Sequence, residues 1–289
     1  RGLLACINLP NGKTVWQTRV SRFYLGGMSA WQEILLAGDR NIGRHQCWDI
    51  RTGRVMAELA ATAGRDSAMS ALLTPEGLAV TWETDGVATV HDVRPPAADA
   101  RKRSLGGQLW HALAAGSRFV GFRSSSGEGK IRVLDLADLN REIELKPEDA
   151  SGRPRQPVRM VFHRDRCLLL YAEEARGEEL TGAGLAAFDL PEGRKAWNRP
   201  LAPASVGPCR ASQPCLQGDI LLLALGPRDE TQAARQLVVR VEDGETFDCS
   251  SVLAPGARTS APTGSPVALN GRVLIANQSG VACLMSMKP

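Results

Sequence analysis

The sequence predicts an all-β fold of about seven four-stranded sheets, the first and last of them incomplete within this chain. Three observations carry that prediction. The 289 residues include 29 glycines and 17 prolines, a composition of many turns and short strands rather than long helices. An eight-residue signature recurs along the whole chain. A short aliphatic run stands ahead of every signature but the first.

The signature is clearest in Cys6-Ile7-Asn8-Leu9-Pro10-Asn11-Gly12-Lys13 and Cys47-Trp48-Asp49-Ile50-Arg51-Thr52-Gly53-Arg54. It returns in Ala187-Phe188-Asp189-Leu190-Pro191-Glu192-Gly193-Arg194 and Val238-Val239-Arg240-Val241-Glu242-Asp243-Gly244-Glu245. Weaker copies are Val90-His91-Asp92-Val93, Val133-Leu134-Asp135-Leu136 and Cys283-Leu284-Met285-Ser286. The third position falls at residues 8, 49, 92, 135, 189, 240 and 285. Five of these seven are Asp or Asn, whose side chains cap the amides of a following turn; Arg240 and Met285 are the exceptions. Four residues on, Gly12, Gly53, Gly193 and Gly244 supply the positive φ such a turn requires. A strand then returns, as in residues 14–20 and 55–59. Upstream strands are predicted at 34–37, 78–81, 119–122, 167–171, 220–225 and 273–276, with shorter apolar stretches before them at 67–73, 109–114 and 158–162.

Four short strands in roughly 45 residues is the period of a β-propeller blade. Seven signatures predict seven blades, with residues 3–20 giving only the outer pair of the first. The last ends at Lys288 without an outermost strand. Either the N-terminal strands close the ring on the last blade, or the missing strands lie upstream of Arg1. Residues 1–289 read as one propeller domain. Opening on Arg1 without an initiator Met or a signal-peptide pattern, the chain reads as a processed protein or as part of a longer polypeptide.

Asn8, Gly12, Lys13 and Trp16 together resemble the quinoprotein-type (pyrroloquinoline-quinone-like) repeat, in which a turn Gly precedes a Trp that docks neighbouring blades. Gly193-Arg194-Lys195-Ala196-Trp197 matches it again. The signature around Trp48-Asp49 is instead similar to a WD repeat, as is the stretch 69–93. Residues Val158-Arg159-Met160-Val161-Phe162-His163-Arg164-Asp165 resemble the inner strands of a WD blade. The chain departs from both families. One Trp-Asp pair sits at a signature, and the Gly-His dipeptide of WD repeats is missing. The resemblance implies a divergent propeller between the two.

It also makes the quinone-dependent dehydrogenases the enzymatic relatives to test. Those carry larger propellers, a calcium held by carboxylate and amide side chains, an acidic base beside the quinone and, in many, a vicinal disulfide. Here all cysteines are separated, and no cluster of Asp, Glu and Asn recurs near the inner strands. The expectation is no catalytic residue, no cofactor and no metal. His45, His91, His111 and His163 read as packing or surface histidines, His45 and His91 at offsets that point to different sheet positions. No Gly-x-Ser-x-Gly and no phosphate loop before a helix occurs; Ser124-Ser125-Ser126-Gly127-Glu128-Gly129-Lys130 falls between two strands as a hairpin loop.

The net charge of +4 comes from 35 basic and 31 acidic residues spread along the chain. The densest basic spots, 101–103 and 153–159, lie in loops, so no nucleic-acid partner is expected. No apolar run approaches the roughly 18 residues of a membrane span. Seven cysteines without a CxxC pair exclude the common cysteine zinc sites. Cys6, Cys47 and Cys283 occupy one frame position as small buried hydrophobes. Cys209 and Cys215 can bridge only in an oxidising compartment. The thiol-rich strands point to a reducing cytoplasm, the quinoprotein resemblance away from it.

What remains for function is the loops that lead into the inner strands, 21–27, 60–66, 146–157 and 202–213. They offer Arg22, Tyr24, Arg65, Arg155 and Arg210, with Arg159 just beyond one loop and Trp110 at another entry. Arginine and aromatics are the types enriched at binding hot spots. The expected function is a non-enzymatic interaction or sensing module whose partner is a protein or an attached domain of the same polypeptide. The alternatives are an extracytoplasmic quinoprotein-like assembly or redox protein, and a small-ligand sensor controlling an attached effector domain.

Overall fold

The computed structural model describes residues 2–8, 10–20, 29–39, 44–60, 68–83, 86–94, 100–106, 110–124, 129–176, 179–202, 204–227, 235–250, 267–269, 272–276 and 282–286. The chain divides into two compact units: Arg1–Ser126 with Val133–Glu142, and Gly127–Arg132 with Ile143–Pro289.

In the first unit, sheet 1 is the antiparallel pair β1 (Gly2–Ile7) and β2 (Thr14–Val20). Sheet 2 runs β3 (Ser29–Trp31), β4 (Ile34–Asp39), β5 (Arg44–Asp49) and β6 (Val55–Ala60) in chain order. Sheet 3 repeats that order with β7 (Ala68–Leu73), β8 (Leu78–Glu83), β9 (Val87–Asp92) and β10 (Arg101–Ser104). Sheet 4 does so with β11 (Trp110–Ala115), β12 (Phe119–Ser124), β13 (Ile131–Asp135) and β14 (Glu142–Leu145); the division between units falls within β13 and β14.

Successive side chains of a strand point to opposite faces, so each middle strand buries two sets. On sheet 3, Val80, Trp82, Ala88 and Val90 join Val120, Phe122 and Leu134 of sheet 4 in one core, with Trp82 edge-on to Phe122 at 5.9 Å. Ala79 of the same strand belongs instead to a core with Leu36, Cys47 and Leu59 of sheet 2. A rule follows. The face carrying the first signature position of one sheet packs on the face carrying the second position of the next.

In the second unit, sheet 5 is β15 (Gln156–His163), β16 (Arg166–Ala172), β19 (Ala183–Asp189) and β20 (Arg194–Ala202). The inserted pair β17 (Glu174–Arg176) and β18 (Glu179–Thr181) leaves sheet 5 and joins sheet 6. There β18 pairs with β21 (Cys209–Ala211), which pairs in turn with β23 (Ile220–Pro227), followed by β24 (Arg235–Arg240) and β25 (Thr246–Asp248). The inner strand is broken, and its second half is β22 (Cys215–Gln217), also on β23. Sheet 6 thus has seven strands where four were predicted. Among the described residues sheet 7 has three, β26 (Val267–Leu269), β27 (Arg272–Ala276) and β28 (Ala282–Ser286). The continuous apolar runs of β16 and β23 are those of strands covered on both faces, and residues 168, 170, 221, 223 and 225, all leucines, meet in one core.

The signature turns form as the sequence required. Asp49 Oδ1 accepts the amides of Arg51 (2.7 Å) and Thr52 (2.9 Å); Asp92 and Asp135 cap Arg94 N and Ala137 N, each at 3.0 Å. In sheet 6, where Arg240 replaces the acid, Asp243 does this work, accepting Glu245 N at 3.0 Å. Asn8 and Asp189 depart from the expectation: in the first turn it is Asn11 Oδ1 that accepts an amide, from Lys13, and the Asp189 carboxylate pairs with Arg166 and Arg194. Gly12, Gly53, Gly193 and Gly244 have φ of 67°, 69°, 70° and 75°.

Two of those glycines also receive a tryptophan. The Trp16 ring lies against Gly53, where an added Cβ would come within 2.5 Å of Cδ2, and its Nε1 donates to Ile50 O at 2.5 Å. Trp197 covers Gly244 in the same way and donates to Val241 O at 3.0 Å. An outer-strand indole therefore latches sheet 1 to the signature turn of sheet 2, and sheet 5 to that of sheet 6.

Candidate functional site

Arg22, Tyr24 and Arg65 lie outside the described residues. Trp110 opens β11 opposite Ser124, and its side chain also lies outside them. The other three predicted residues belong to the second unit and differ sharply. Arg155 is 12% exposed and taken up by its own loop: its guanidinium reaches Asp149 at 2.5 Å and Glu173 at 3.3 Å. Hydrogen bonds from the Ser151 hydroxyl, the Arg153 amide and Arg155 hold the Asp149 carboxyl well below the usual carboxylate range. The role this geometry gives Arg155 is to shape the 146–157 loop.

Arg159 and Arg210 are half-buried, and each, like Arg155, has a buried Nε without a hydrogen-bond partner among the described residues. Neither makes an ion pair there, whereas Arg118, Arg166, Arg235 and Arg240 are each matched to an Asp. Arg159 follows a bulge in β15 and stands opposite Leu170. At the same height sheet 3 has Ser70 opposite Trp82 and sheet 4 has Ala112 opposite Phe122, so the repeat itself calls for no arginine. Arg210 stands between Gly226 and Glu179 in the ladder. Register separates the two. Arg159 shares the face of Leu170, which packs on sheet 6, while Arg210 lies on the sheet 6 face opposite to Ala211, the residue that packs on sheet 5.

A convergent site occurs at the other end of these strands. A cavity of about 490 Å³ is lined by His163, Arg164, Asp165 and Arg166 of the β15–β16 turn, by Asp189 and by Asp219, Val241 and Glu242 of sheet 6. Arg166 forms its floor, donating to Asp189 Oδ1 (2.9 Å) and to the Val241 and Glu242 carbonyls (2.9 and 2.8 Å). His163 Nε2 lies 2.8 Å from Asp219 Oδ1, and Arg164 is 3.4 Å from the same oxygen. Arg164 holds φ 52°, unusual for a residue with a side chain. The lining carries four carboxylates against two guanidinium groups, and no hydroxyl or thiol. Sequence reasoning missed this cavity because it searched the loops entering the inner strands. The signal was the charged run His163-Arg164-Asp165-Arg166.

Cys209 and Cys215 are free thiols, opposite Pro227 and Leu222 of β23, and thus too far apart to bridge. Among the described residues no three His, Cys, Asp or Glu side chains are placed to hold a metal ion, and no helix is long and apolar enough to cross a membrane.

Blades of this kind define a β-propeller, and solved structures agree. The β-propeller domain of Cps50 (Swd1) from Myceliophteria thermophila matches with a TM-score of 0.59 at 10% identity, over 99% of this chain and 91% of that one. Hydrazine synthase of Kuenenia stuttgartiensis matches at 0.59 and 11% over 90% and 76%, and BamB from Moraxella catarrhalis at 0.51 and 13% over 98% and 90%. These likenesses establish the fold, which serves a synthase as well as an assembly factor. The family follows from residues 97–288, which match the model described as "Outer membrane protein assembly factor BamB"; the chain belongs to that family. No curated protein sequence matches the chain.

Proposed function

We propose that this chain is a non-enzymatic propeller that docks a protein partner, a scaffold of the assembly-factor kind its family describes. The observation that carries this reading is that Arg159 and Arg210 make no ion pair among the described residues, in a unit where Arg155 and Arg166 are matched to carboxylates. An unpaired, half-buried guanidinium gains most when a partner's carboxylate or carbonyl oxygens reach it. Its separation from Arg210 by register makes two anchors rather than one clamp. Charge reversal tests it: Arg159→Glu with Arg210→Glu should reduce co-purification of the native partner at least about tenfold, as expected for two hot-spot arginines, with the thermal midpoint unchanged. Equal recovery from the double variant would refute the assignment.

The 490 Å³ cavity favours a second reading, the sensing of a small basic ligand. Its excess of carboxylates suits a guanidinium or ammonium group, and a ligand bound to the native state alone raises stability. Agmatine at millimolar concentration should raise the melting temperature of the wild type and leave Asp219→Asn unmoved. A flat response in both removes this reading.

A further inference from the structure

The joint between sheets 2 and 3 of the first unit holds groups that neither reading uses. His45 of β5 is 3% exposed, and both its ring nitrogens are buried without a hydrogen-bond partner among the described residues. It stands opposite Gly38 of β4 and Leu59 of β6, on the face where Leu36, Cys47 and Leu59 pack on Ala71, Leu73 and Ala79. The facing surface of sheet 3 presents Thr81 from β8, Thr89 and His91 from β9 and Lys102 from β10, which are linked by the Thr81↔Thr89, Ala79↔His91 and Lys102↔Thr89 pairings. His91 Nε2 is 3.4 Å from Thr81 Oγ1, and Thr89 Oγ1 is buried without a hydrogen-bond partner among the described residues.

We propose that this joint is an acid-sensitive contact: a proton taken up at His45 places a cation in an apolar seam beside His91 and Lys102, and sheet 2 loosens from sheet 3 while the second unit stays folded. The charge inventory supports it. From β5 itself come the neutral Cys47 thiol, pushed up to about 11 by burial, and Asp49, whose carboxylate is occupied by its own turn amides. β4, β6 and β7 turn no described titratable side chain to the seam; Glu58 of β6 is on the other face, bonded to Gln46. From β8 the described side chain on this face is Thr81; Glu83 has the same parity, and its side chain lies outside the described residues. Among the described side chains, the chargeable group that acts on His45 is His91, a base, and His91 in turn feels the exposed Lys102. No described carboxylate on this seam is free to take the new charge.

Burial first, and His91 second, hold the His45 pKa down at about 4; burial and then Lys102 lower that of His91. A folded pKa below the unfolded value of 6.5 means the unfolded seam binds more protons between the two. Stability is therefore full above pH 6.5 and falls as pH drops toward 4, by up to about 300-fold in the opening equilibrium.

Hydrogen exchange on the full chain, corrected for intrinsic rates, tests this between pH 7.5 and 4.5. Protection in β5 and β9 should fall at least about 30-fold while β16 and β23 hold. His45→Met should flatten that fall. Because this variant can misfold, NMR titration of the His45 ring in the wild type supplies an independent check. A ring pKa of 6 or above, or a loss of protection shared equally by both units, overturns the proposal.

Discussion

Trp197→Ala should lower the stability of the second unit by about 4 kcal/mol, read from urea midpoints, within the range for truncating a buried large aromatic. The indole sits in the core formed by Leu185, Ala187, Leu237 and Val239. Its hydrogen bond is the smaller part of the loss. Val241 O keeps a donor in Arg166, so removing Nε1 leaves no orphaned carbonyl. Gly244→Ala should cost about 2–3 kcal/mol, because a Cβ there meets two unrelated obstacles. One is the positive φ of 75°, worth about 1 kcal/mol; the other is overpacking against the ring, 2.7 Å away. In the double variant the ring is gone and only the backbone penalty survives, so the two losses should fall short of adding by about 1–2 kcal/mol. Strict additivity would show that the glycine serves the turn alone and that the latch is incidental.

That latch was legible in the sequence, since Gly12, Gly53, Gly193 and Gly244 stand at a fixed offset and Trp16 and Trp197 follow two of them. Local geometry wrote those features into adjacent residues. What escaped depended on distant ones. Strands β17 and β18 are three residues each, rich in charge, and they exist because β21, thirty residues on, offers an edge. Arg155 and Arg159 look alike in one basic run, and only Asp149 and Glu173 tell them apart. The histidines are the most instructive case. His45 and His91 sit at signature offsets of opposite parity, which read as different sheet positions. Neighbouring sheets meet through faces of opposite parity, so the same offsets bring the two rings into one seam.

Asp135→Ala should cost the first unit about 2 kcal/mol, and more than Asp49→Ala at the same signature position. Both carboxylates cap a turn, but Asp135 is 1% exposed and also accepts Arg118 through Nε (3.0 and 3.1 Å) and a terminal nitrogen (2.7 Å). Its removal loses a charge-assisted pair, worth about 1.5–3 kcal/mol, and is moderated because Arg118 is 43% exposed and regains water. Asp135→Asn separates the two roles: it keeps an acceptor for Ala137 N and gives up the charge. Burial pushes the Asp135 carboxyl upward, but Arg118 and the Ala137 amide outweigh it and leave the pKa below its ordinary value. Its contribution is therefore present above pH 4 and drains away as pH falls through the lowered folded value. The alanine and asparagine variants should both lack that acid slope. Equal losses for Asp135→Ala and Asp49→Ala would mean that the turn cap the two share is the carboxylate's whole purpose. An excess at Asp135 makes the Arg118 pair a second fastening, the counterpart in its own sheet of Arg166 and Asp189 in sheet 5.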